Sequence, residues 1–273
     1  MTAAGVGQVL RLELRKLLAQ KRIIVVWWVC VLAPILLVGV LKVASTTPSD
    51  TLFGRWVHVS GLALPLLVLG FGGQWAFPAL AALVAGDVFA AEDRYATWKL
   101  VLSRSRSRAE VFAGKCLVGL GFPVVMTLVV AAISTGAGVF LVGSDPIINL
   151  SGSLVQVAKG VELVAWSGLS QLCPVLALAS FALLLSVVTR NSLVGVGGPV
   201  LFALVAQLGA LTDLPPTVRM LSPAGAFACW HGLWLDRPDV VPLWLGVSAS
   251  LLTAVTCLAI AATVFVRRDV AVR

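Results

Sequence analysis

The sequence predicts an all-α integral membrane protein with six transmembrane helices, an N-terminal amphipathic interfacial helix and both termini in the cytoplasm. Of its 273 residues, 59% are hydrophobic and only 12% are charged, whereas soluble domains average about 45–50% and about 25%. Six apolar stretches are each long enough to cross a bilayer, and the basic residues gather in short segments between them. This pattern excludes a cytosolic enzyme, a nucleic-acid-binding domain and a secreted disulfide scaffold.

The first predicted element is an amphipathic helix over residues 8–22. Its leucines recur at the spacing of one helical face, whereas arginines line the opposite side. These residues are Leu10, Leu14, Leu17 and Leu18 on the apolar face, and Arg11, Arg15 and Arg22 on the basic face. A helix of this kind lies in the cytoplasmic interface of a membrane. An ordinary basic flank of the first span is the alternative interpretation.

The six apolar stretches define the predicted spans, because about 20 apolar residues cross the hydrocarbon core. They cover residues 23–41, 57–86, 116–142, 163–188, 192–211 and 240–266. The second stretch contains several helix-disturbing residues, namely Pro65, Gly70, Gly72, Gly73 and Pro78. Since proline removes a backbone hydrogen bond, we expect this span to be tilted, kinked or broken. Residues 1–273 form a single transmembrane domain in this interpretation.

The segment between the second and third spans, residues 87–115, is long for a six-span protein. Helical spacing predicts a short helix there with one aromatic face, formed by Tyr95, Trp98 and Leu102. Ser107 followed by Glu110 is a capping box, so we expect the next helix to begin near Arg108. An aromatic face on a cytoplasmic loop favours binding of a partner protein, with packing against the protein's own spans as the alternative.

The predicted outer segment covers residues 212–239. Pro215 and Pro216 interrupt any helix there, and the following residues are too apolar for a free loop yet too few to span a bilayer. This combination predicts a re-entrant or interfacial segment with Trp230 and Trp234 at headgroup level.

The distribution of lysine and arginine predicts the orientation. With the N-terminus in the cytoplasm, the inner side holds fifteen of the 20 basic side chains. They are Arg11, Arg15, Lys16, Lys21, Arg22, Arg94, Lys99, Arg104, Arg106, Arg108, Lys115, Arg190, Arg267, Arg268 and Arg273; the outer ones are Lys42, Arg55, Lys159, Arg219 and Arg237. We therefore expect both termini in the cytoplasm and the protein in the cell membrane.

Sequence motifs for ATP binding or hydrolysis are missing. The chain contains no G-x-x-x-x-G-K-[ST] phosphate loop, no H-E-x-x-H zinc motif and no G-x-S-x-G elbow. Its five scattered cysteines indicate neither a disulfide framework nor a metal site. No ionisable side chain lies at the centre of a span, where ion-coupled carriers usually keep one. If the protein moves a substrate uphill, we expect the energy to come from another subunit.

Two other functions compete with transport at this point. One is a membrane-embedded enzyme that acts on lipids, for which Asp87, His58 and His231 are the best available groups, although the histidines are predicted on the opposite side from Asp87. The other is a structural subunit of a larger membrane complex. A phosphate-loop ATPase encoded by the neighbouring gene would favour transport over both.

The layout and the loop motif resemble an ABC type-2 transporter permease. The motif is E-x-x-x-x-T followed by S-R-x-x-x-x-x-x-K, formed here by Glu92, Thr97, Ser107, Arg108, Gly114 and Lys115. The amphipathic helix with Glu13 and Lys16 and the LSPAGAF segment at residues 221–227 also fit. The RSRSR stretch at residues 104–108 departs from the family pattern, in which a proline often precedes the final Ser-Arg.

The resemblance implies a membrane-spanning subunit of an ATP-driven exporter that pairs with a second copy or a homologous permease among membrane lipids. Each permease docks on an ATP-binding cassette subunit, which binds ATP and magnesium, so the permease itself holds no catalytic residue, metal or cofactor, and no nucleic acid is involved. The implied ATPase-coupling residues are Glu13, Lys16, Glu92, Asp93, Arg94, Tyr95, Thr97, Trp98, Arg108 and Lys115. The implied substrate path, along the second and fifth spans, includes Gln74, Trp75, Phe77 and Gln207. Such an apolar path favours an amphipathic cargo, such as a drug, a peptide or a lipid.

Overall fold

The computed structural model of the protein describes residues 3–44, 51–98, 107–209 and 215–267. Within these ranges the chain is mostly helical, which confirms the predicted all-α class. Several residues of the sequence analysis lie outside the described ranges, namely Leu102, the basic residues Lys99, Arg104, Arg106, Arg268 and Arg273, and residues 212–214 of the outer segment.

Eleven α-helices are present in the described part of the chain. They are α1 (Ala3–Leu18), α2 (Lys21–Val43), α3 (Ala63–Phe71), α4 (Phe77–Ala85), α5 (Ala90–Arg94), α6 (Arg108–Leu141), α7 (Val157–Ser170), α8 (Leu172–Thr189), α9 (Ser192–Leu208), α10 (Pro216–Met220) and α11 (Val241–Arg267). A π-helical segment, Gly72–Ala76, separates α3 from α4, and 3-10 helices cover Gly54–Trp56 and Gly225–Trp234. The strands β1 (Ile147–Ile148) and β2 (Leu154–Val155) pair antiparallel, with Ile147 opposite Val155.

The central helices of the bundle are α4 and α8. Helix α8 packs against α4, α6, α9 and most extensively α11, whereas α1 and α2 pack mainly on α6. The outward faces of α2 and α11 expose large apolar side chains, such as Trp28, Leu36 and Leu252. Because these helices satisfy their own backbone groups and present apolar surfaces, the chain is a multi-pass membrane protein.

Five helical stretches of the described residues are long and apolar enough to cross a membrane. They are Lys21–Val43, Ala63–Ala85, Arg108–Leu141, Val157–Thr189 and Val241–Arg267. Ser192–Leu208 is a shorter apolar helix of 17 residues. The predicted total of six spans includes this helix and stays a prediction.

The second predicted span is interrupted at its centre. The Phe77 N–H donates to the Gly72 carbonyl, which is the spacing of a π-helix. A Cβ atom on Gly73 would lie 2.8 Å from Cβ of Phe227, so glycine allows the 3-10 segment to approach the backbone here. A π-helical segment thus disturbs this glycine- and proline-rich span within one helical stretch, Ala63–Ala85, and the expected tilt, kink or break stays a prediction.

Helix α1 contacts the bundle through a different face from the predicted leucine stripe. Its buried residues include Val9, Glu13 and Leu17, at intervals of four. Leu14 and Leu18 are instead 40% and 59% exposed. The helix therefore buries a mixed face that includes a carboxylate against α6, while these two leucines stay exposed, as a face toward lipid would be. Its location in the membrane interface stays a prediction.

The apolar part of the outer segment folds back on the protein. Trp230 and Trp234 are almost completely buried and pack against Phe53, at ring-centroid distances of 6.0 and 5.1 Å. The Trp234 indole N–H donates to the Ser167 hydroxyl on α7 at 3.0 Å. Both rings thus contact protein, and the expectation that they lie at headgroup level stays a prediction.

Candidate functional site

Four charged side chains form a closed ring between α1, α5 and α6. The Nζ atom of Lys115 lies 2.9 Å from Oε1 of Glu92 and 3.1 Å from Oε2 of Glu13. The Nζ atom of Lys16 lies 2.9 Å from Oε1 of Glu13 and 2.7 Å from Oε1 of Glu92. Each carboxylate therefore contacts both ammonium groups. We call this neutral set the charge ring (Glu13, Lys16, Glu92 and Lys115).

Lys115 is the most deeply buried member of the charge ring, with no exposed surface. Its ammonium group donates hydrogen bonds to the Val88 carbonyl and to Oε1 of Glu92, both at 2.9 Å, and pairs with Glu13 as an ion pair. The rings of Trp98 and Phe89 lie 5.7 and 5.9 Å from the Nζ atom, measured to their centroids. An ammonium group is stable in such surroundings because its charge is paired on one side and faces aromatic rings on the other.

Glu92 is fixed in its ionised form. The Thr97 hydroxyl donates to Oε2 of Glu92, and the Thr97 N–H donates to the Glu92 carbonyl at 3.0 Å. Burial alone would raise the pKa of Glu92, but the charge of Lys115 and the hydrogen bonds from Lys115, Lys16 and Thr97 outweigh it and lower the pKa to about 2. Burial likewise opposes the charge of Lys16, yet the hydrogen bonds and charges of Glu92 and Glu13 raise its pKa.

Further ion pairs fasten the residues around α5 to the other helices. The Asp87 carboxylate pairs with Arg22 at the start of α2, and its Oδ1 atom lies 3.2 Å from an Nη atom of Arg94. Oδ1 of Asp93 lies 3.8 Å from Nε of Arg190, which adopts a left-handed conformation in the turn between α8 and α9. Segment 87–94 is therefore tied to α2 and to the α8–α9 turn as well as to the charge ring.

Tyr95 and Trp98 face opposite environments, so the predicted shared aromatic face is wrong. Helix α5 ends at Arg94, and Ala96 adopts a left-handed conformation with a φ angle of 52°. Tyr95 is 68% exposed, whereas Trp98 is 7% exposed and packs inward. The alternative interpretation, packing against the protein's own spans, applies to Trp98.

Trp98 belongs to an aromatic cluster that the sequence analysis missed. Its ring lies 5.5 Å from that of Phe265 on α11 and 6.4 Å from that of Phe89, and Phe112 on α6 completes the group. Phe89 and Phe112 lie in the predicted loop, residues 87–115, whereas Phe265 lies in the last apolar stretch, so the sequence offers no signal that joins them in a cluster.

The start of α6 follows the predicted capping box. The Ser107 hydroxyl accepts a hydrogen bond from the Glu110 N–H at 3.2 Å, and the helix begins at Arg108. Arg108 donates to the Val266 carbonyl near the end of α11 at 3.3 Å. This residue therefore links α6 to α11 and lies outside the charge ring.

The four residues of the implied substrate path divide between surface and core. The Gln207 amide on α9 donates to the backbone carbonyl of Gln74 in the π-helical segment. Trp75 is 58% exposed beside Gln74. Phe77 is fully buried and packs near Phe227, and its place in a substrate path stays a prediction.

The comparison with known families agrees with this architecture. A family model described as ABC-2 family transporter protein matches residues 9–207, which include most of α1, the charge ring and the π-helical segment. No curated protein matches the sequence. The matched region covers more than half of the chain, and the chain therefore belongs to the ABC-2 transporter family as the membrane permease of an ABC transporter.

Proposed function

We propose that this permease exports an amphipathic cargo, such as a drug, a peptide or a lipid, with energy from a separate ATP-binding cassette subunit. Helix α1 and the segment from Asp87 to Trp98 dock on that subunit, which binds ATP and magnesium. The docking side and both termini lie in the cytoplasm, and the protein lies in the cell membrane. A second permease, another copy or a homologous chain, completes the substrate path.

The exposed Tyr95 carries the docking proposal. Its ring projects from the turn after α5, with the Arg94 guanidinium group 5.0 Å from the ring centroid. On the N-terminal side of this turn, ion pairs hold Glu92 and Asp93. An aromatic side chain on a rigidly held turn is typical of a protein-binding anchor, because little conformational freedom is lost on binding.

The surface around the π-helical segment supports an amphipathic cargo. Phe71 and Trp75 expose 48% and 58% of their surface, and they flank the exposed Gln74 on the same segment. This surface thus offers aromatic faces next to amide groups, which suits a molecule with both apolar and polar parts.

Co-purification with the ATPase encoded by the neighbouring gene tests docking. The full-length permease and its Tyr95→Ala variant are each co-expressed with the ATPase and purified in lipid nanodiscs. We expect Tyr95→Ala to weaken ATPase binding about tenfold or more, because anchor residues dominate binding energy. The matched control is Trp166→Ala, since Trp166 on α7 is 57% exposed. Equal binding by the two variants would overturn the docking proposal.

Transport direction is tested separately with a fluorescent amphipathic dye. Export predicts ATP-dependent accumulation of the dye in inside-out vesicles that contain the permease and the ATPase. Accumulation only in right-side-out vesicles would contradict export.

A further inference from the structure

We propose that the charge ring makes α1, α5 and the first turns of α6 move as one body, with Lys115 as the positioning residue. This inference rests on the proposed function, because it concerns how a movement imposed by the ATPase reaches the spans. It assigns to Lys115 the task of transmitting movement, which is distinct from the docking contact assigned to Tyr95.

The charge ring is the main direct link between α5 and the other two elements. Glu13 and Lys16 lie on α1, Glu92 on α5 and Lys115 on α6. In the described part of the chain, the backbone of α5 makes few close approaches to that of either α1 or α6, although α1 and α6 pack closely together. The short α5 is therefore held to these two helices by side chains.

Burial makes the link hard to separate. The ammonium–carboxylate distances in the charge ring are 2.7–3.1 Å. Glu13, Glu92 and Lys115 are buried, so moving one element away from the others would leave an unpaired charge in poorly solvated surroundings. Helices α1 and α5 and the first turns of α6 therefore stay joined when one of them is displaced.

The surroundings of the charge ring also leave room for movement. The aromatic rings of Phe89 and Trp98 cover Lys115 on one side. On another side lies a cavity of about 60 Å³ whose lining includes Gln20, Arg22 and Asp87. The side chains of the charge ring can therefore shift toward this cavity without compressing a packed core.

Each joined element adjoins or belongs to a stretch long and apolar enough to cross a membrane. Helix α1 is followed by α2 after two residues, α5 follows α4 after the short connection Gly86–Phe89, and Lys115 lies within the 34-residue α6. A displacement of the docking segment is therefore delivered to three membrane helices together.

Hydrogen exchange of the complete permease–ATPase complex in nanodiscs tests the proposal without knowledge of the cargo. The test variant is Lys115→Met/Glu92→Gln, which removes one charge of each sign and leaves the Glu13–Lys16 pair neutral. The matched control is Lys159→Met/Glu162→Gln, which removes an exposed lysine–glutamate pair of the same 2.9 Å length on α7. Each complex is measured without nucleotide and after trapping with ATP and vanadate.

In the wild type and the control, we expect trapping to change exchange in residues 87–95 and 110–120 together. In the test variant, the change in residues 87–95 remains, and the change in residues 110–120 falls about tenfold. A purely structural role would alter exchange equally in both nucleotide states. Glu92→Gln, which keeps the side-chain shape, serves as a milder second variant and is expected to show a partial loss in residues 110–120.

Three results would overturn the proposal. The first is a test variant in which trapping still changes exchange in residues 87–95 and 110–120 together. The second applies if the double variant does not assemble: a Glu92→Gln protein whose exchange changes on trapping are the same as in the wild type. The third is a wild-type complex in which trapping changes residues 87–95 alone. Failure of the proposed function is distinguishable from all three, because the wild-type permease would then not bind the ATPase.

Discussion

Replacing Gly195 by alanine should force α4 and α9 apart. A Cβ atom on Gly195 would lie 2.1 Å from the Gly86 carbonyl oxygen, and one on Gly86 would lie 2.3 Å from the Gly195 carbonyl group. Ordinary van der Waals contact begins at 3.4 Å, so the two backbones must separate by roughly 1 Å. Overpacking of this kind costs about 1–3 kcal/mol, which lowers Tm by roughly 2–4 °C per kcal/mol in a chain of this size class.

The assay is the thermal unfolding midpoint of the purified protein in detergent, followed by tryptophan fluorescence. Gly197→Ala is the control in the same helix, since a Cβ atom there meets nothing within 4 Å. This control should leave Tm unchanged or raise it slightly, because alanine favours a helix over glycine by about 1 kcal/mol. Equal midpoints for the Gly195→Ala and Gly197→Ala variants would refute the close backbone contact.

Three further predictions concern the charge ring and its neighbours. The pKa of Glu92 falls from 4.5 to about 2 on folding. Its ion pairs therefore contribute about 3 kcal/mol to the free energy of unfolding above about pH 4.5, and this contribution is lost as the pH falls toward 2. Unfolding midpoints in acid that are equal for wild type and Glu92→Gln would contradict this. Lys115→Met should lower the free energy of unfolding by about 3–5 kcal/mol, whereas Lys159→Met, in an exposed pair, should lower it by less than about 1 kcal/mol. Denaturant titrations that show equal losses would be inconsistent with a buried charge ring. Trp98→Ala should destabilise the protein by about 3–5 kcal/mol and Tyr95→Ala very little, which thermal midpoints check; a larger shift for Tyr95→Ala would reverse the assignment of core and surface.

Much of the fold follows from features that the sequence displays directly. Apolar length and periodicity locate the long helices, since a bilayer requires both. The disturbed helix around Gly72 and Gly73 and the N-cap at Ser107 follow from local backbone chemistry. These features depend on residues close together in the chain, which explains their success.

The contacts of the candidate site depend on residues far apart in the chain. The family motif named Glu92 and Lys115, and the resemblance added Glu13 and Lys16, but nothing in the sequence indicates that the four side chains close a ring. The inward turn of Trp98 depends on the left-handed conformation of Ala96, a residue type that rarely adopts it. The aromatic partner Phe265 lies on the last helix, beyond the reach of any local pattern.

The most direct test of the central claim is photo-crosslinking from position 95 to the ATPase subunit. A photoreactive phenylalanine analogue replaces Tyr95 in one protein and Trp166 in another, and each complex is irradiated in nanodiscs. The account predicts a crosslink to the ATPase from position 95 and none from position 166. A crosslink from position 166 with none from position 95 would contradict it.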